Sequence, residues 1–433
     1  MQHALTVIVK IKAGRGDELE ALLDTVGQDV KGKRDNIHLE LGEIDTLQFG
    51  RMALIPNKRT GTWQYLFFSS NYDGSLAEHL GEFVDKAGAA MDKIWGACEG
   101  YPENRTSNLA QYKRDFLKFI KAHSIDYNAF YIGYRYETRK SKRAFMEFRE
   151  AVGDFFDLPD VAKVAEGRLK HHLERTPAEL LASFNDIPAA KQFYDDRLKP
   201  AMDALPARGK RPLPRNLLTW PLFILDFIRS FVEVIIYRPL RNQITGREPA
   251  LNIDLDDLKI NDGITDIEDV ITQNQVTIIS AIKPGWWVLF KLRVVLIGIH
   301  LVAKHFQNRG ALGGIATIHF ARWVIIDKGR WLLFTSNYDG SWPSYIGDFV
   351  DKAAIGMDFI WTSAPRYPEQ GAQDIEAFKN IIRVNQIRTQ AFYSSVPDTT
   401  IMNLLNDGEI STTLNEAGSA EWLRRLQGGG IIR

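Results

Sequence analysis

Apolar and polar residues follow the same succession of patterns in the two halves of the chain. The first half opens with Ala4–Lys12, an apolar run rich in β-branched residues, followed by leucines at helical spacing. Two more apolar runs, Thr46–Pro56 and Trp63–Ser70, flank a short polar loop and predict a hairpin. Leu76–Gly96 carries apolar residues along one helical face. Together these segments predict the order β-α-β-β-α.

A further helix, Leu109–His123, and a closing strand, Tyr127–Tyr136, complete a β-α-β-β-α-(α)-β unit, which is the ferredoxin-like arrangement. The second half repeats this order in Gln275–Lys283, a helix from Trp286, Ala316–Asp327, Arg330–Ser336, Tyr345–Trp361, Asp374–Asn385 and Thr389–Val396. Each predicted sheet has one face covered by helices and one bare apolar face. Two bare faces in one chain close most simply on each other, so we expect an α+β fold in which two tandem ferredoxin-like units form a single-chain barrel.

The duplication is also visible in the residues themselves. Leu66–Ser75 (LFFSSNYDGS) returns as Leu332–Ser341 (LLFTSNYDGS), and about 21 of the 38 positions that begin with these blocks are identical. We therefore predict two repeats, residues 1–138 and 273–398, related by a pseudo-two-fold axis. A helical insertion and linker, residues 139–272, separates them, and residues 399–433 form a C-terminal tail.

Composition and charge limit the class of protein. The chain is 45% hydrophobic and 25% charged, as in ordinary globular proteins, and its 54 basic residues balance 54 acidic ones. No global field therefore attracts nucleic acid. The single cysteine, Cys98, excludes an intramolecular disulfide and a cysteine-rich metal site. Since the chain also opens with a strand-like run in place of a secretory leader, we expect a cytoplasmic protein.

Two apolar stretches, Leu217–Leu240 and Trp286–Phe306, are long enough to raise the question of a membrane. Charged residues interrupt both, and in the first stretch Asp226, Arg229 and Glu233 share one stripe of an otherwise apolar helix. That pattern predicts an amphipathic helix and not a span. Basic residues flank the stretches (Lys210, Arg211, Arg215, Arg238, Arg241, Arg247 and Arg309), and Trp220, Trp286 and Trp287 lie near helix starts. The helices therefore either lie in a bilayer interface, on the inner face of the membrane, or bury against the sheets.

The acidic run Asp254–Asp269 in the insertion lacks the glycine and glutamate spacing of a calcium-binding loop, and we expect a solvated loop there.

The two repeats differ most usefully in their second strand. TLQFGR, ending at Arg51, corresponds to TIHFAR, ending at Arg322, so the arginine is kept while Gln48 becomes His319. Strand alternation places His319 and Arg322 on opposite faces unless a bulge intervenes. His319 is then either a hydrogen-bonded core residue or a ligand of a metal or heme.

The shared segment Ser-Asn-Tyr-Asp-Gly-Ser ends a strand and precedes a helix in both repeats. Asp73 and Asp339 are therefore expected to cap the helix or brace the turn, unless one repeat uses Asn337 and Asp339 in a site. No H-E-x-x-H, P-loop, G-x-S-x-G or G-x-G-x-x-G motif is present, which disfavours zinc proteases, nucleotide-dependent enzymes and serine hydrolases.

Tandem ferredoxin-like barrels with a histidine in one half resemble the dye-decolourising peroxidase and chlorite dismutase superfamily of heme proteins. Ser-Asn-Tyr-Asp-Gly is distantly similar to the peroxidase family's G-x-x-D-G motif, although serine replaces the first glycine. The resemblance covers the two repeats and not the insertion. It implies a heme cofactor with His319 as the ligand of the heme iron. It also implies that Arg322 or Arg51, with Asp339 and Asn337, polarises bound peroxide.

Two hypotheses follow. The first is a heme-dependent peroxidase or oxygenase that acts on an apolar, lipid-like substrate near a membrane surface. The second is a non-enzymatic peripheral membrane protein that binds lipid. Both imply an apolar small molecule or lipid and an anionic membrane surface as partners, and both leave homo-oligomerisation open.

Overall fold

The computed structural model describes residues 2–31, 39–57, 60–103, 105–135, 137–171, 174–206, 219–245, 271–307, 310–416 and 418–428. Several sequence predictions lie outside these residues: the acidic run Asp254–Asp269 and the basic residues Lys210, Arg211, Arg215, Arg247 and Arg309. The chain divides into two compact units. The core unit comprises Met1–Arg135 and Pro214–Asp398, and the helical unit comprises Tyr136–Leu213 and Thr399–Arg433.

The secondary structure follows the predicted order in both halves. The first half contains β1 (Gln2–Lys10), α1 (Gly16–Val30), β2 (Leu47–Pro56), β3 (Trp63–Asp73), α2 (Leu76–Trp95), α3 (Leu109–His123) and β4 (Ala129–Ile132). Helices of the helical unit follow: α4 (Arg139–Phe156), α5 (Pro159–His171), α6 (Pro177–Ala182), α7 (Pro188–Phe193) and α8 (Lys199–Asp203).

The chain then returns to the core unit through α9 (Thr219–Phe231), a π-helical turn (Val232–Tyr237) and α10 (Arg238–Thr245). The second half contains β5 (Gln273–Ala281), α11 (Trp286–His305), β6 (Ile318–Ile326), β7 (Trp331–Asp339), α12 (Trp342–Trp361), α13 (Ile375–Asn385) and β8 (Thr389–Ser394). Two helices close the described chain in the helical unit, α14 (Ile401–Thr412) and α15 (Ala420–Gly428).

The strands form two antiparallel four-stranded sheets, so the predicted α+β class is confirmed. The first sheet has the order β1-β3-β2-β8 and the second has the order β4-β6-β7-β5. Each half therefore gives its last strand to the other half's sheet: β4 pairs with β6, and β8 pairs with β2. In a ferredoxin-like unit the fourth strand would lie beside the first strand of its own sheet, so two self-contained units of that kind are not confirmed.

The chain contacts its own sheet just before each exchanged strand. Just before β4, the Ile125 amide donates to the Thr6 carbonyl oxygen on the outer edge of β1 (2.9 Å). The equivalent Ile387 amide donates to the Thr277 carbonyl oxygen on the edge of β5 (2.9 Å) before β8 begins. Each chain segment thus pairs with its own sheet only at an isolated bridge and continues as a strand of the other. These single contacts are not continuous ladders, so the described strands do not form the predicted closed barrel.

Three layers of apolar side chains hold the core unit together. Helices α1, α2 and α3 pack on one face of the first sheet, and α11, α12 and α13 pack on one face of the second. Residues from both sheets form the third layer, in which Ile8, Phe67, Val324 and Leu333 are all essentially buried. Burial of aliphatic and aromatic side chains at about 1.5–3 kcal/mol each is the main force that holds such layers together. The two uncovered faces close on each other, as the sequence predicts.

The helical unit has its own apolar core. Phe148 and Phe155 of α4, Leu180 of α6 and Trp422 of α15 are all buried in one cluster. The Trp422 indole also donates a hydrogen bond to the Ile410 carbonyl oxygen (2.9 Å), which satisfies its one polar group. Residues from the insertion and from the C-terminal tail therefore form this core together.

Candidate functional site

The histidine that differs between the repeats lies at a bulge in β6. The pairing of β6 with β7 shifts between Ile318 and Phe320, which leaves His319 as the extra residue. Such a bulge turns the extra side chain toward the face of its neighbour. The His319 ring accordingly packs in an edge-to-face contact on Phe49, a residue of the first sheet, with ring centres 5.5 Å apart. The Phe320 ring makes the same kind of contact with Phe49, also at 5.5 Å. The bulge thus brings His319 to the side of the sheet that carries Arg322.

His319 is hydrogen-bonded at both ring nitrogens. Its Nε2 lies 2.7 Å from Asp339 Oδ1, and its Nδ1 lies 3.2 Å from the hydroxyl of Tyr134. Burial first, and then the negative charge of Asp339, raises the pKa of Tyr134 well above its ordinary value. The Tyr134 hydroxyl therefore stays protonated and donates to Nδ1, which makes Nε2–H the donor to Asp339. Tyr134 follows the exchanged strand β4, and no local sequence pattern marks it as a partner of His319.

The first repeat makes the matching contact without a histidine. Gln48 is the extra residue of a bulge in β2, and its Nε2 donates to Asp73 Oδ1 at 2.7 Å. The expected helix caps belong to other residues: the side chains of Ser75 and Ser341 accept hydrogen bonds from the first turns of α2 and α12. The two motif aspartates therefore brace the bulged second strands and do not cap helices.

The arginines that occupy the same position in the two repeats, Arg51 and Arg322, cross between the sheets in opposite directions. Arg51 donates to the carbonyl oxygens of Val276 (2.8 Å) and Ser336 (2.9 Å) in the second sheet. Arg322 donates to the carbonyl oxygens of Leu5 (2.6 Å) and Ser70 (3.1 Å) in the first sheet. Each arginine thus joins two strands of the opposite sheet, β5 and β7 or β1 and β3.

Asn71 and Asn337 of the repeated motif link the two arginines into one buried polar layer between the sheets. Asn337 accepts from Arg51, Asn71 accepts from Arg322 at 3.3 Å, and the Asn337 amide donates to Asn71 Oδ1 at 3.2 Å. Both arginines are at least 95% buried. Burial first, and then repulsion from Arg51, lowers the pKa of Arg322 to about 9. The layer thus gathers all the predicted site residues, His319, Asp339, Asn337, Arg51 and Arg322, between the two sheets.

These residues, as they are arranged, do not fit an axial heme ligand. Heme iron is bound by an open imidazole nitrogen, and both nitrogens of His319 already have partners. The histidine side chain is also fully buried, against Phe49 and Tyr134. Across the residues that the structure describes, no group of three or more His, Cys, Asp or Glu side chains is placed to hold a metal ion. The arrangement instead favours the prediction of a hydrogen-bonded core histidine.

The two apolar stretches pair as antiparallel helices on the outside of the second sheet. Trp220, at the start of α9, packs on Phe306, just beyond the end of α11, with ring centres 5.3 Å apart, and Phe231 packs on Phe290 at 6.2 Å. One face of α9 and the π turn buries against α11 through Phe223, Phe227 and Val234. The other face remains open.

The open face, with the start of α11, carries many large exposed apolar side chains, which we together call the apolar platform. Each platform residue has at least 48% of its surface exposed. These residues are Trp220, Leu222, Ile224, Leu225, Ile228, Val232, Ile236, Tyr237, Leu240, Trp286 and Trp287. Exposed patches of this kind are uncommon on soluble monomers and mark interaction surfaces. The stretch is therefore buried against the protein on one face and exposed on the other.

Charges around the platform are arranged by sign. On α9 to α11 and the residues leading into α11, the described side chains that are both charged and exposed are Arg229, Lys283 and Lys291. The acidic Asp226 is half-buried and bonds to Lys304 (2.6 Å) and His305 (2.9 Å) of α11. The exposed charges next to the platform are therefore positive, and the acidic Glu233 is partly buried.

Helix α11 is the one described helix that is long and apolar enough, by length and composition alone, to cross a membrane. Core helices pass the same test, and α11 also packs on strand β4 of the second sheet. Lipid therefore cannot surround it in this fold.

No protein-family model and no curated protein sequence matches the chain.

Proposed function

We propose that this protein is a peripheral membrane protein that docks on an anionic bilayer through the apolar platform and has no heme-dependent activity. The observation that carries the proposal is the exposure of eleven large apolar side chains on α9 to α11. Tryptophans lie at both ends of the platform and aliphatic residues lie between them, a distribution that suits the interface of a bilayer.

The energetics favour docking over solvation. If five platform side chains gain about 1 kcal/mol each on insertion, the partition coefficient rises by a factor of several thousand. The basic residues Arg229, Lys283 and Lys291 add roughly 1 kcal/mol each near an anionic surface. Apolar burial is thus the larger contribution, and salt should weaken binding without abolishing it.

The same proposal includes an origin for the core unit. We infer that its halves descend from one ferredoxin-like unit whose duplicated copies exchanged their fourth strands. The matching order of elements and the repeated Leu66–Ser75 block support this inference. In this view the buried arginines, asparagines and His319 hold the two copies together, and function lies on the outside at α9 to α11.

Flotation with liposomes tests the proposal. The wild type should float with vesicles that contain phosphatidylserine, and Ile228→Asp/Val232→Asp should not, because both side chains are about half exposed on the platform. A matched control is Ile355→Asp/Phe359→Asp, an even more exposed apolar pair on α12. Equal recovery of the wild type and the platform variant would contradict the proposal. A stable dimer of the wild type that Ile228→Asp/Val232→Asp dissociates would assign the platform to a second copy of the chain.

A further inference from the structure

A basic pocket lies directly beside the platform. It has a volume of ≈ 120 Å³ and is formed by the end of α3, the loop before β4, the start of α10 and α11. Four basic side chains line it, Lys121, Arg238, Arg241 and Arg293, against one carboxylate, Asp126. The formal charge of the lining is therefore +3, four positive charges less one negative. The volume accommodates several water molecules and is sufficient for a phosphate group.

The pocket is built by the fold and is not a chance cluster of surface lysines. Asp126 lies 2.8 Å from Arg241 and 4.0 Å from Arg238, and Arg238 also donates to the Tyr127 carbonyl oxygen at 2.8 Å. These contacts fix the directions of two guanidinium groups. Arginine is the side chain best suited to phosphate, because its planar donors match phosphate oxygens in pairs.

The pocket and the platform share one stretch of chain. Val234, Arg238 and Arg241 line the pocket, while Ile236 and Leu240 between them are more than half exposed on the platform. Leu240 and Arg241 are adjacent in the chain, so insertion of Leu240 into a membrane surface would place phospholipid headgroups next to Arg241. A second, wider cleft of ≈ 480 Å³ adjoins the pocket at Asn128 and Arg238 and adds polar side chains.

We propose that this pocket binds the phosphate of a phospholipid headgroup and so gives the docked protein a preference for phosphomonoester lipids. The inference rests on the proposed membrane docking and deepens it. Apolar contact supplies general affinity through the platform, and Lys121, Arg238, Arg241 and Arg293 supply headgroup selectivity. A phosphomonoester fits better than a phosphodiester, because it presents three free oxygens and up to two negative charges to the guanidinium groups.

The experiment compares vesicles of equal surface charge that contain phosphatidic acid or phosphatidylserine in phosphatidylcholine. Wild type should bind the phosphatidic acid vesicles about tenfold more tightly. Lys121→Gln/Arg241→Gln should lose this preference, with about thirtyfold weaker binding to phosphatidic acid vesicles. Arg114→Gln/Lys118→Gln removes the same charge from α3 outside the pocket lining and should keep the preference. Thermal melting of each variant checks that it is folded.

The outcomes separate this inference from the docking proposal. If the wild type binds neither kind of vesicle, docking itself fails. If it binds both kinds equally and the two double variants behave alike, docking stands and the phosphate pocket is overturned. Inorganic phosphate in isothermal titration distinguishes the source. Tight binding of phosphate alone, with no preference among vesicles, would make the ligand a free anion and overturn the lipid assignment.

Discussion

His319 and Gln48 occupy equivalent bulges in the two sheets and make the same hydrogen bond. His319 Nε2 lies 2.7 Å from Asp339 Oδ1, and Gln48 Nε2 lies 2.7 Å from Asp73 Oδ1. The replacement of glutamine by histidine therefore keeps a donor at the same place. The difference between Gln48 and His319, which in the sequence suggests that one half is specialised, therefore leaves the structural role of the position unchanged.

This equivalence predicts the response of His319 to substitution. His319→Gln should restore the bond seen at Gln48 and lower the free energy of unfolding by less than about 1 kcal/mol. His319→Ala should cost about 2–3 kcal/mol, because it opens a cavity and removes a buried donor from Asp339. Urea denaturation of the two variants measures the difference. Equal losses would show that the bond to Asp339 does not stabilise the fold.

A visible spectrum tests the heme hypothesis directly. Since both ring nitrogens of His319 are engaged, we expect no Soret band that depends on this residue when hemin is added to the purified protein. His319→Gln should give the same spectrum as the wild type. A Soret band in the wild type that disappears in His319→Gln would reverse this conclusion and return His319 to the role of iron ligand.

The sequence predicts the elements well because their signals are local. The order of strands and helices in both halves follows from apolar periodicity, and the outcome at His319 depends on a bulge of the kind that the sequence analysis allows for. The strand exchange is different. The pattern of Ala129–Ile132 shows that the strand is buried, but it contains nothing about whether its partner is β1 or β6.

The candidate site shows the same limit. Strand register and the repeated motif are enough to single out Arg51, Arg322 and Asn337, which do meet. The sequence does not identify Tyr134 as a site residue, because Tyr134 lies beside His319 only as a result of the strand exchange. The basic pocket also escapes notice, since Lys121, Arg241 and Arg293 lie far apart in the sequence and no motif links them.

The two buried arginines should be coupled energetically. Replacing either with methionine removes several hydrogen bonds that join the sheets, and we expect each single substitution to cost about 3 kcal/mol or more. Burial is the main cause of the lowered pKa of Arg322 and repulsion from Arg51 adds to it, so removing one positive charge relieves the other. The first substitution gains this relief and the second does not, so the second should cost more than the same substitution made in the wild type. A double-mutant cycle in urea measures this coupling, and strictly additive costs would contradict it.

Acid should destabilise the first repeat through His79. Its ring is buried between hydroxyl groups, with Nδ1 2.7 Å from Thr46 Oγ1 and Nε2 3.0 Å from Ser70 Oγ, and burial lowers the pKa of His79 to about 3. In the unfolded chain its pKa is about 6.5, so between these values the unfolded state binds the extra proton. Stability should fall by about 1.4 kcal/mol per pH unit on acidification below pH 6.5.

His79→Gln provides the control, because glutamine can bond to the same hydroxyls and does not titrate. The second repeat already uses a residue that stays neutral at this position: Tyr345, which donates to Ser336 Oγ at 2.6 Å. Melting curves from pH 7 to pH 4 should show a shallower acid slope for the variant. Identical slopes for wild type and His79→Gln would place the acid sensitivity elsewhere.

Asp407 should give the helical unit the opposite pH dependence. It is almost fully buried in α14, where Arg149 of α4 lies 3.4 Å away, and burial outweighs that attraction and raises the pKa of Asp407 to about 7. The unfolded carboxyl has a pKa near 3.9, so between these values the folded state holds the extra proton. Its stabilising contribution is complete below about pH 4 and is lost as pH rises through 7.

We therefore expect Asp407→Asn to raise the melting temperature at pH 8, where the native carboxylate is buried with its charge, and to change it little at pH 5. Asp154→Asn, on an exposed carboxylate of α4 that pairs with Arg197, is the matched control and should show no such pH dependence. If Asp407→Asn lowers stability at pH 8, the attraction between Arg149 and Asp407 exceeds the cost of burying the charge.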